Sequence, residues 1–401
     1  MINVAVIFGG KSVEHEVSVI TGLQALHALD KSRYNPIPLY IAKDETFYTG
    51  DNLKDIESFR DLNKALQEAT RVVPSREGKQ CLLRAAKSGL FGNKEIARID
   101  AALVAVHGTN VEDGTLQGYL EYLGIPYTGC DVTASALGMD KWAMKAVYQA
   151  AGIPVLPAKL IRRAPWFENT QGLLDMLERE IGYPIIVKPH NLGSSVGINK
   201  ARTRLELENA VTEALSYSPA AICERAIQQL REINCSVLGD DDEAIPSVCE
   251  EPLNATDFLT YKDKYQANSG GKTGAKGSKG SGMANLSRAI PAPLSDEDTK
   301  RVQEIAVQAF HAIGAAGVAR CDIMLDVEEG KFYMNEINTI PGSLSFYLWQ
   351  PTGVDFTELT HRMIQIALKR WRQKQQITFS FDTNLLQTAS IGGSGAKGAK
   401  N

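Results

Sequence analysis

Two short apolar runs, each stopped by a glycine turn, constrain this chain more than any other feature. Residues 2–8 (INVAVIF) run into Gly9-Gly10, and residues 101–106 (AALVAV) run into His107-Gly108. Between them, Val17 to Ala28 places its apolar residues at helical spacing. Strand, turn and helix in alternation predict a parallel α/β domain over about the first 130 residues. In sheets of that kind a ligand sits at the carboxyl ends of the strands, where both glycine turns fall.

A chain of 401 residues is too long for one ordinary core, and two or three domains are expected. A new unit begins near Asp140-Lys141 with a helix to Ala151, stopped by Gly152-Ile153-Pro154. It holds the strand IIVKP (185–189), a glycine-serine turn and the strand AAICERAI (220–227). A third unit contains INCSVLG (233–239), a helix over 296–313, and two facing strands, 319–327 and 331–338, joined by Glu328-Glu329-Gly330. Two stretches, 270–282 and 392–400, are too rich in glycine, serine and lysine to bury an apolar face, and mobility is expected there.

Several function classes fall away. The 43 basic residues face 47 acidic ones, so nothing pulls the whole chain toward nucleic acid. No apolar run approaches the roughly 20 residues that cross a bilayer, and the N-terminus does not read as a signal peptide. The six cysteines form no C-x-x-C pair and no zinc spacing with histidine. Reduced, buried thiols and a cytoplasmic setting are expected.

Arg320-Cys321-Asp322 and Asn335-Glu336-Ile337-Asn338 carry the most chemistry. Side chains alternate on strands, so Glu336 and Asn338 share a face that Asp322 can meet from the neighbouring strand. Two carboxylates and an amide oxygen suit Mg²⁺ that also holds nucleotide phosphates. Arg320, on the face of Asp322, can stabilise a phosphoryl group in flight. Read alone, the hairpin fits a solvated acidic face equally well. The turn Lys188 to Gly197 (KPHNLGSSVG) offers backbone and hydroxyl donors at Gly193, Ser194 and Ser195, as a phosphate-covering loop requires, though an isolated turn of this composition is usually a plain hairpin loop. Lys141, Lys188 and Lys264 are candidate phosphate ligands. Glu224 and Glu232 flank a segment between the second and third units where an adenine and a ribose would fit.

Six ordered blocks then resemble one family. GGKSVEHEVS (9–18), HGTNVEDGTLQG (107–118), YTGCDVTASALGMDK (127–141), KPHNLGSSVG (188–197), REINCSVLG (231–239) and NEINTIPG (335–342) look like the D-alanine–D-alanine ligases of the ATP-grasp superfamily, from about Val4 to Arg372. The resemblance implies an ATP-grasp fold, α/β with an α+β ATP-binding part, preceded by a Rossmann-like domain. The boundaries are 1–130, 131–228 and 229–375, with a tail over 376–401. It implies ATP as substrate, two Mg²⁺ with Mn²⁺ able to replace them, D-alanine as the substrate joined, and a homodimer.

By the same resemblance Lys141, Lys188, Ser195 and Lys264 touch phosphates, and Glu224 and Glu232 lie on the adenine and ribose sides. Asp322, Glu336 and Asn338 hold metal, and Arg320 stabilises the transferred phosphoryl. Glu14 holds the first substrate's ammonium, in a hydrogen-bonded set with Ser194 and Tyr265 of a closing loop. His107 and Gly342 line the substrate pocket. Where the family often has a serine for the acceptor's carboxylate, this chain has Tyr347, whose phenol can donate the same bond or mark a reshaped pocket. Residues 45–98 look longer than compact members need and receive no function. A non-catalytic nucleotide-binding protein of this fold would be expected to lack a metal ligand or Arg320, and all are present. A nicotinamide oxidoreductase would need G-x-G-x-x-G after the first strand, which is absent. Ligases making D-alanyl-D-serine or D-alanyl-D-lactate are the closer rivals. Tyr265 favours the dipeptide, because depsipeptide makers commonly lack it.

Overall fold

The computed structural model describes residues 1–89, 92–193, 196–253 and 288–383, and within them three sheets. Ser194, Ser195, Lys264, Tyr265 and the two glycine-rich stretches lie outside the described residues.

The first sheet runs β1 (Ile2–Gly9), β2 (Tyr34–Ile41), β3 (Phe47–Thr49), β4 (Thr70–Glu77), β5 (Gln80–Gly89), β6 (Gly92–Ile99) and β7 (Ala101–Val104), in the spatial order β6-β5-β4-β3-β2-β1-β7. Only β2, β1 and β7 are parallel; β2 through β6 pair antiparallel. This corrects the expectation of a parallel domain throughout. A parallel pair needs a crossover of a dozen or more residues, and the helix His15–Ala28 provides one between β1 and β2. The 45–98 stretch instead turns back on itself through short connections, such as Gly78-Lys79 between β4 and β5, and builds the antiparallel half.

The second sheet, β8 (Ala158–Arg162), β9 (Ile185–Pro189), β10 (Asn199–Ala201) and β11 (Ala220–Arg225), has the order β10-β9-β11-β8 and is antiparallel. The third, β12 (Leu230–Gly239), β13 (Ala244–Pro252), β14 (Arg288–Ala289), β15 (Gly317–Asp326) and β16 (Lys331–Asn338), is antiparallel in the order β14-β13-β12-β15-β16. The helix Lys141–Ala150 is capped by Asp140, whose carboxylate accepts from Trp142 N and Ala143 N. It buries Met144 and Tyr148 in the core of the third sheet, with Val302, Phe310 and Ile323.

The first core is not closed by the first 130 residues. Leu344, Trp349, Leu359, Met363 and Ile364, from the end of the chain, pack into the cluster formed by β1, β2 and β7. Their source is the turn after β16 and the helix Phe356–Lys374, which Asp355 caps through Glu358 N. The six cysteines are free and buried, as expected. No helix among the described residues is long and apolar enough to cross a membrane.

Gly22 sets how closely the helix His15–Ala28 approaches β1. A Cβ there would stand 2.3 Å from Phe8 Cβ, inside any real carbon contact. Gly22→Ala is expected to push the helix off the sheet and cost about 1–3 kcal/mol, as overpacked cores do. Thermal unfolding of the variant checks this, and an unchanged midpoint would mean the helix is not seated on Phe8.

Candidate active site

The second and third sheets face each other across a cleft lined by Lys141, Lys188, Glu224, Asp322 and Glu336. Its centre is a buried set of charges. Lys188, on β9, donates to Glu224 Oε1 at 2.5 Å, and Lys145 reaches Glu224 Oε2 at 3.0 Å. Burial pushes the Glu224 carboxyl up, but the two ammonium groups outweigh it and bring it to about 2. Lys145 is held below its ordinary value by its own burial, which Glu224 only partly offsets. Lys141, one helical turn earlier, donates to Leu192 O at 3.0 Å and meets Glu336 Oε2 at 3.1 Å. Lys145 was missed in the sequence, although its spacing of four from Lys141 puts both on one helix face.

Register organises the opposite wall. Glu250 on β13 pairs with Asn234 on β12, Asn234 with Asp322 on β15, and Asp322 with Glu336 on β16. Cross-strand partners share a face, so these four side chains form one row across four strands. In the next row Ser236 pairs with Arg320 and Arg320 with Asn338. The sequence expectation that Arg320, Asp322, Glu336 and Asn338 share a face therefore holds. Arg320 grips Asp322 through two bonds of 2.6 and 2.7 Å, and Asn338 Nδ2 donates to Asp322 Oδ2 at 3.0 Å. A register shift between Asp322 and Ile323 leaves Asn335 as the extra residue of a bulge. That re-aims its amide across the cleft, where Asn335 Oδ1 accepts from Lys188 at 3.1 Å. Glu232 lines the same cleft, together with the apolar side chains Leu156, Ile227 and Met324.

The glycine turns of the first sheet close a third side. Glu14 stands at the start of the helix His15–Ala28. A Cβ added at Gly193 would lie 3.1 Å from Glu14 Oε2, and one at Gly108 3.0 Å, so the carboxylate sits between two glycine loops. His107 shares a hydrogen bond of 2.9 Å with Thr21, whose hydroxyl oxygen accepts from Ser343 N at 3.0 Å, beside Gly342. Burial pushes the His107 imidazole down to about 4, and Arg320 adds to that, so the ring is neutral near pH 7.

The Tyr347 phenol donates to Glu250 Oε1 at 3.2 Å.

Glu112 was not singled out in the sequence, although it stands inside HGTNVEDG. It accepts from Gly108 N at 3.0 Å and Ile340 N at 3.1 Å, and from the Thr339 hydroxyl at 3.4 Å, so it pins the loop after β16 to the loop after β7.

The donor set fits a divalent cation. Asp322 and Glu336 are opposed hard-oxygen donors whose charge Arg320 and Lys141 compensate, and Asn338 adds an amide. A first α/β unit followed by two sheets that close on a lysine-lined cleft is the arrangement of the ATP-dependent ligases with the ATP-grasp fold. Comparison with known proteins refines that class. The family model described as "D-ala D-ala ligase N-terminus" matches residues 3–130, and "D-ala D-ala ligase C-terminus" matches 147–365. A D-alanine–D-alanine ligase of Heliobacterium modesticaldum is 38% identical over 381 residues, 93% of this chain and 96% of its own. That of Geobacillus kaustophilus is 38% identical over 383 residues, 94% and 98%. Among solved structures, the D-alanine–D-alanine ligase of Coxiella burnetii superposes with a TM-score of 0.75 at 26% identity, covering 94% of this chain and 96% of that one. The VanG D-Ala:D-Ser ligase of Enterococcus faecalis gives 0.74 at 30%, covering 91% and 99%. The chain belongs to the D-alanine–D-alanine ligase family.

Burial pushes the Glu112 carboxyl up, Glu14 adds to it, and the net result is a value of about 8. The folded chain then holds a proton that the unfolded chain releases, so this contribution is complete below about 4.5 and is lost as pH rises through about 8. Glu112→Gln keeps the group neutral at every pH. The difference in urea midpoint between wild type and variant should therefore move against the wild type across that window. Parallel pH profiles would mean that Glu112 is ionised in the folded chain.

Proposed function

We propose that this chain joins two D-alanines to D-alanyl-D-alanine at the expense of ATP, for peptidoglycan precursors. The observation that carries the proposal is the cleft itself, with three lysines on one wall and the Asp322–Glu336 pair on the other. Lys141, Lys145 and Lys188 bring three ammonium groups to the cleft, which suits a polyphosphate. Leu156, Ile227 and Met324 offer a flat apolar seat for the base, and Glu232 a carboxylate for the ribose. Asp322, Glu336 and Asn338 would hold Mg²⁺, which neutralises phosphate charge. Two Mg²⁺ ions, with Mn²⁺ able to replace them, a homodimer and a cytoplasmic location are proposals carried by the family.

In this reading Glu14 binds the ammonium of the first D-alanine, and its carboxylate takes the γ-phosphoryl of ATP as an acyl phosphate. The amine of the second D-alanine attacks the acyl carbon, the tetrahedral intermediate collapses, and phosphate leaves. Neutral His107 and the loop at Gly342 shape the pocket. Ser194, Ser195, Lys264 and Tyr265 are assigned to the covering loops by family pattern. An acyl phosphate hydrolyses readily, so closure around the site protects it. The three-unit division at 130, 228 and 375 belongs to the same proposal.

The direct test is ATP with D-alanine alone, then with D-serine or D-lactate, reading ADP and the separated products. Dipeptide from D-alanine alone is the expected outcome, and D-alanyl-D-serine or depsipeptide as the only product would sink it. Arg320 adds a sharper check. A cation held by Asp322 would compete for the carboxylate that Arg320 now grips, and the fork of Arg320 would then be available to phosphoryl oxygens. Arg320→Lys should lower the maximal rate by about tenfold or more, about 1.4 kcal/mol in barrier, with a smaller change in ATP affinity. Loss of ATP affinity at an unchanged maximal rate would make it a ground-state contact.

A further inference from the structure

One charged group at the end of the row that runs from Glu336 through Asp322 to Glu250 has no part in the reading so far. Arg288, on the edge strand β14, donates to Glu250 Oε2 at 2.9 Å, and its guanidinium lies 4.3 Å from the centre of the Tyr347 ring. Glu250 is 2% exposed, and its other oxygen accepts from Asn234 at 3.0 Å and from the Tyr347 phenol at 3.2 Å. This cluster continues the row of Asp322 and Glu336, because Glu250 and Asn234 belong to that row. Burial pushes the Tyr347 phenol up and Glu250 adds to it, while the charges of Arg320 and Arg288 act against it.

We propose that Arg288 is the acceptor-binding residue for the proposed reaction: it receives the carboxylate of the second substrate, and Glu250 and Tyr347 act only to position it. The inference rests on the ligase reading above. Tyr347 occupies the place where a serine hydroxyl would serve, and its phenol is committed to Glu250. A hydroxyl at that place is thus replaced by a cation fixed in direction by one hydrogen bond and in plane by the ring. A guanidinium carries five donors, so an incoming carboxylate can share or displace the other contacts that Arg288 makes. An acceptor with a free carboxylate beside its amine matches that site, and an amide or ester of the same amino acid does not.

Hydroxylamine separates the acceptor from the rest of the reaction. It intercepts an acyl phosphate through its nitrogen, releases phosphate and leaves a hydroxamate, without bringing a carboxylate. Wild type, Arg288→Met and Arg288→Lys are compared with ATP and D-alanine, with and without hydroxylamine, and with D-alaninamide as a second acceptor. Arg288→Met should raise the acceptor KM by about tenfold or more and lower the ratio of dipeptide to hydroxamate by a similar factor. Its preference for D-alanine over D-alaninamide should shrink. Arg288→Lys should fall between the two, and it keeps the test open if the methionine variant does not fold. Equal loss of dipeptide and hydroxamate, or an unchanged acceptor KM, would overturn the assignment. Wild-type protein that makes neither product would overturn the ligase reading and this one together, a result distinct from either of those.

Discussion

The buried carboxylate of Glu224 is the interaction on which the site depends. Taking an ion out of water costs several kcal/mol even after relaxation, and here Lys145, Lys188 and Glu224 are all nearly excluded from solvent. The arrangement holds because each partner comes from a different element: Lys188 from β9, Glu224 from the adjacent β11, and Lys145 from the helix that packs on the third sheet. One carboxylate between two ammonium groups leaves a net positive charge, which a nucleotide phosphate would offset. The same ion set ties the second sheet to the helix Lys141–Ala150, so binding and the spacing of the cleft walls are coupled. Loss of Glu224 alone would leave two buried ammonium groups side by side.

The strand ends and the motifs were readable because they are local. IIVKP carries its lysine next to its end, in the buried centre of the cleft, and alternation put Arg320, Asp322, Glu336 and Asn338 on one face. The antiparallel half of the first sheet was not readable, because its signal is the shortness of the connections through 45–98 and not the content of any strand. Asn335 escaped because alternation sends it away from Glu336, and only the bulge at Asp322 brings it back toward Lys188. Glu250 and Arg288 escaped for another reason. Strand register sets Glu250 opposite Asn234, and the packing of the helix Phe346–Trp349 brings the Tyr347 ring to Arg288. Ser236 is a further case, accepting from Trp349 Nε1 at 3.1 Å while donating to Ala319 O at 3.0 Å.

The first and third sheets are also tied together through the turn after β16. Leu344 and Trp349 complete the first core, so the turn that follows β16 cannot shift without opening that core. Glu112 and Thr21 hold the same turn from the other side, through Ile340 N and Ser343 N. Glu14 and His107 on the first unit, and Asn338 and Gly342 on the third, are therefore placed relative to one another by packing and by backbone hydrogen bonds.

That turn carries strain of its own. Ser343, Leu344 and Ser345 take φ of 53°, 51° and 51°, three successive non-glycine residues in the left-handed region. Each costs roughly 1–2 kcal/mol against the right-handed form, and buried Ser345 Oγ has no hydrogen-bond partner among the described residues. Such a segment persists only where its surroundings over-determine it. Here Leu344 is fully buried in the first core and Ser343 N is bound by Thr21, so the backbone cannot relax at either point. The left-handed turn ends at Phe346, where right-handed helix resumes, and Tyr347 is the next residue. The strain therefore sets where the Tyr347 ring stands, against Glu250 and Arg288. A turn of glycines would relieve the backbone, but it would also free the ring that fixes the plane of Arg288.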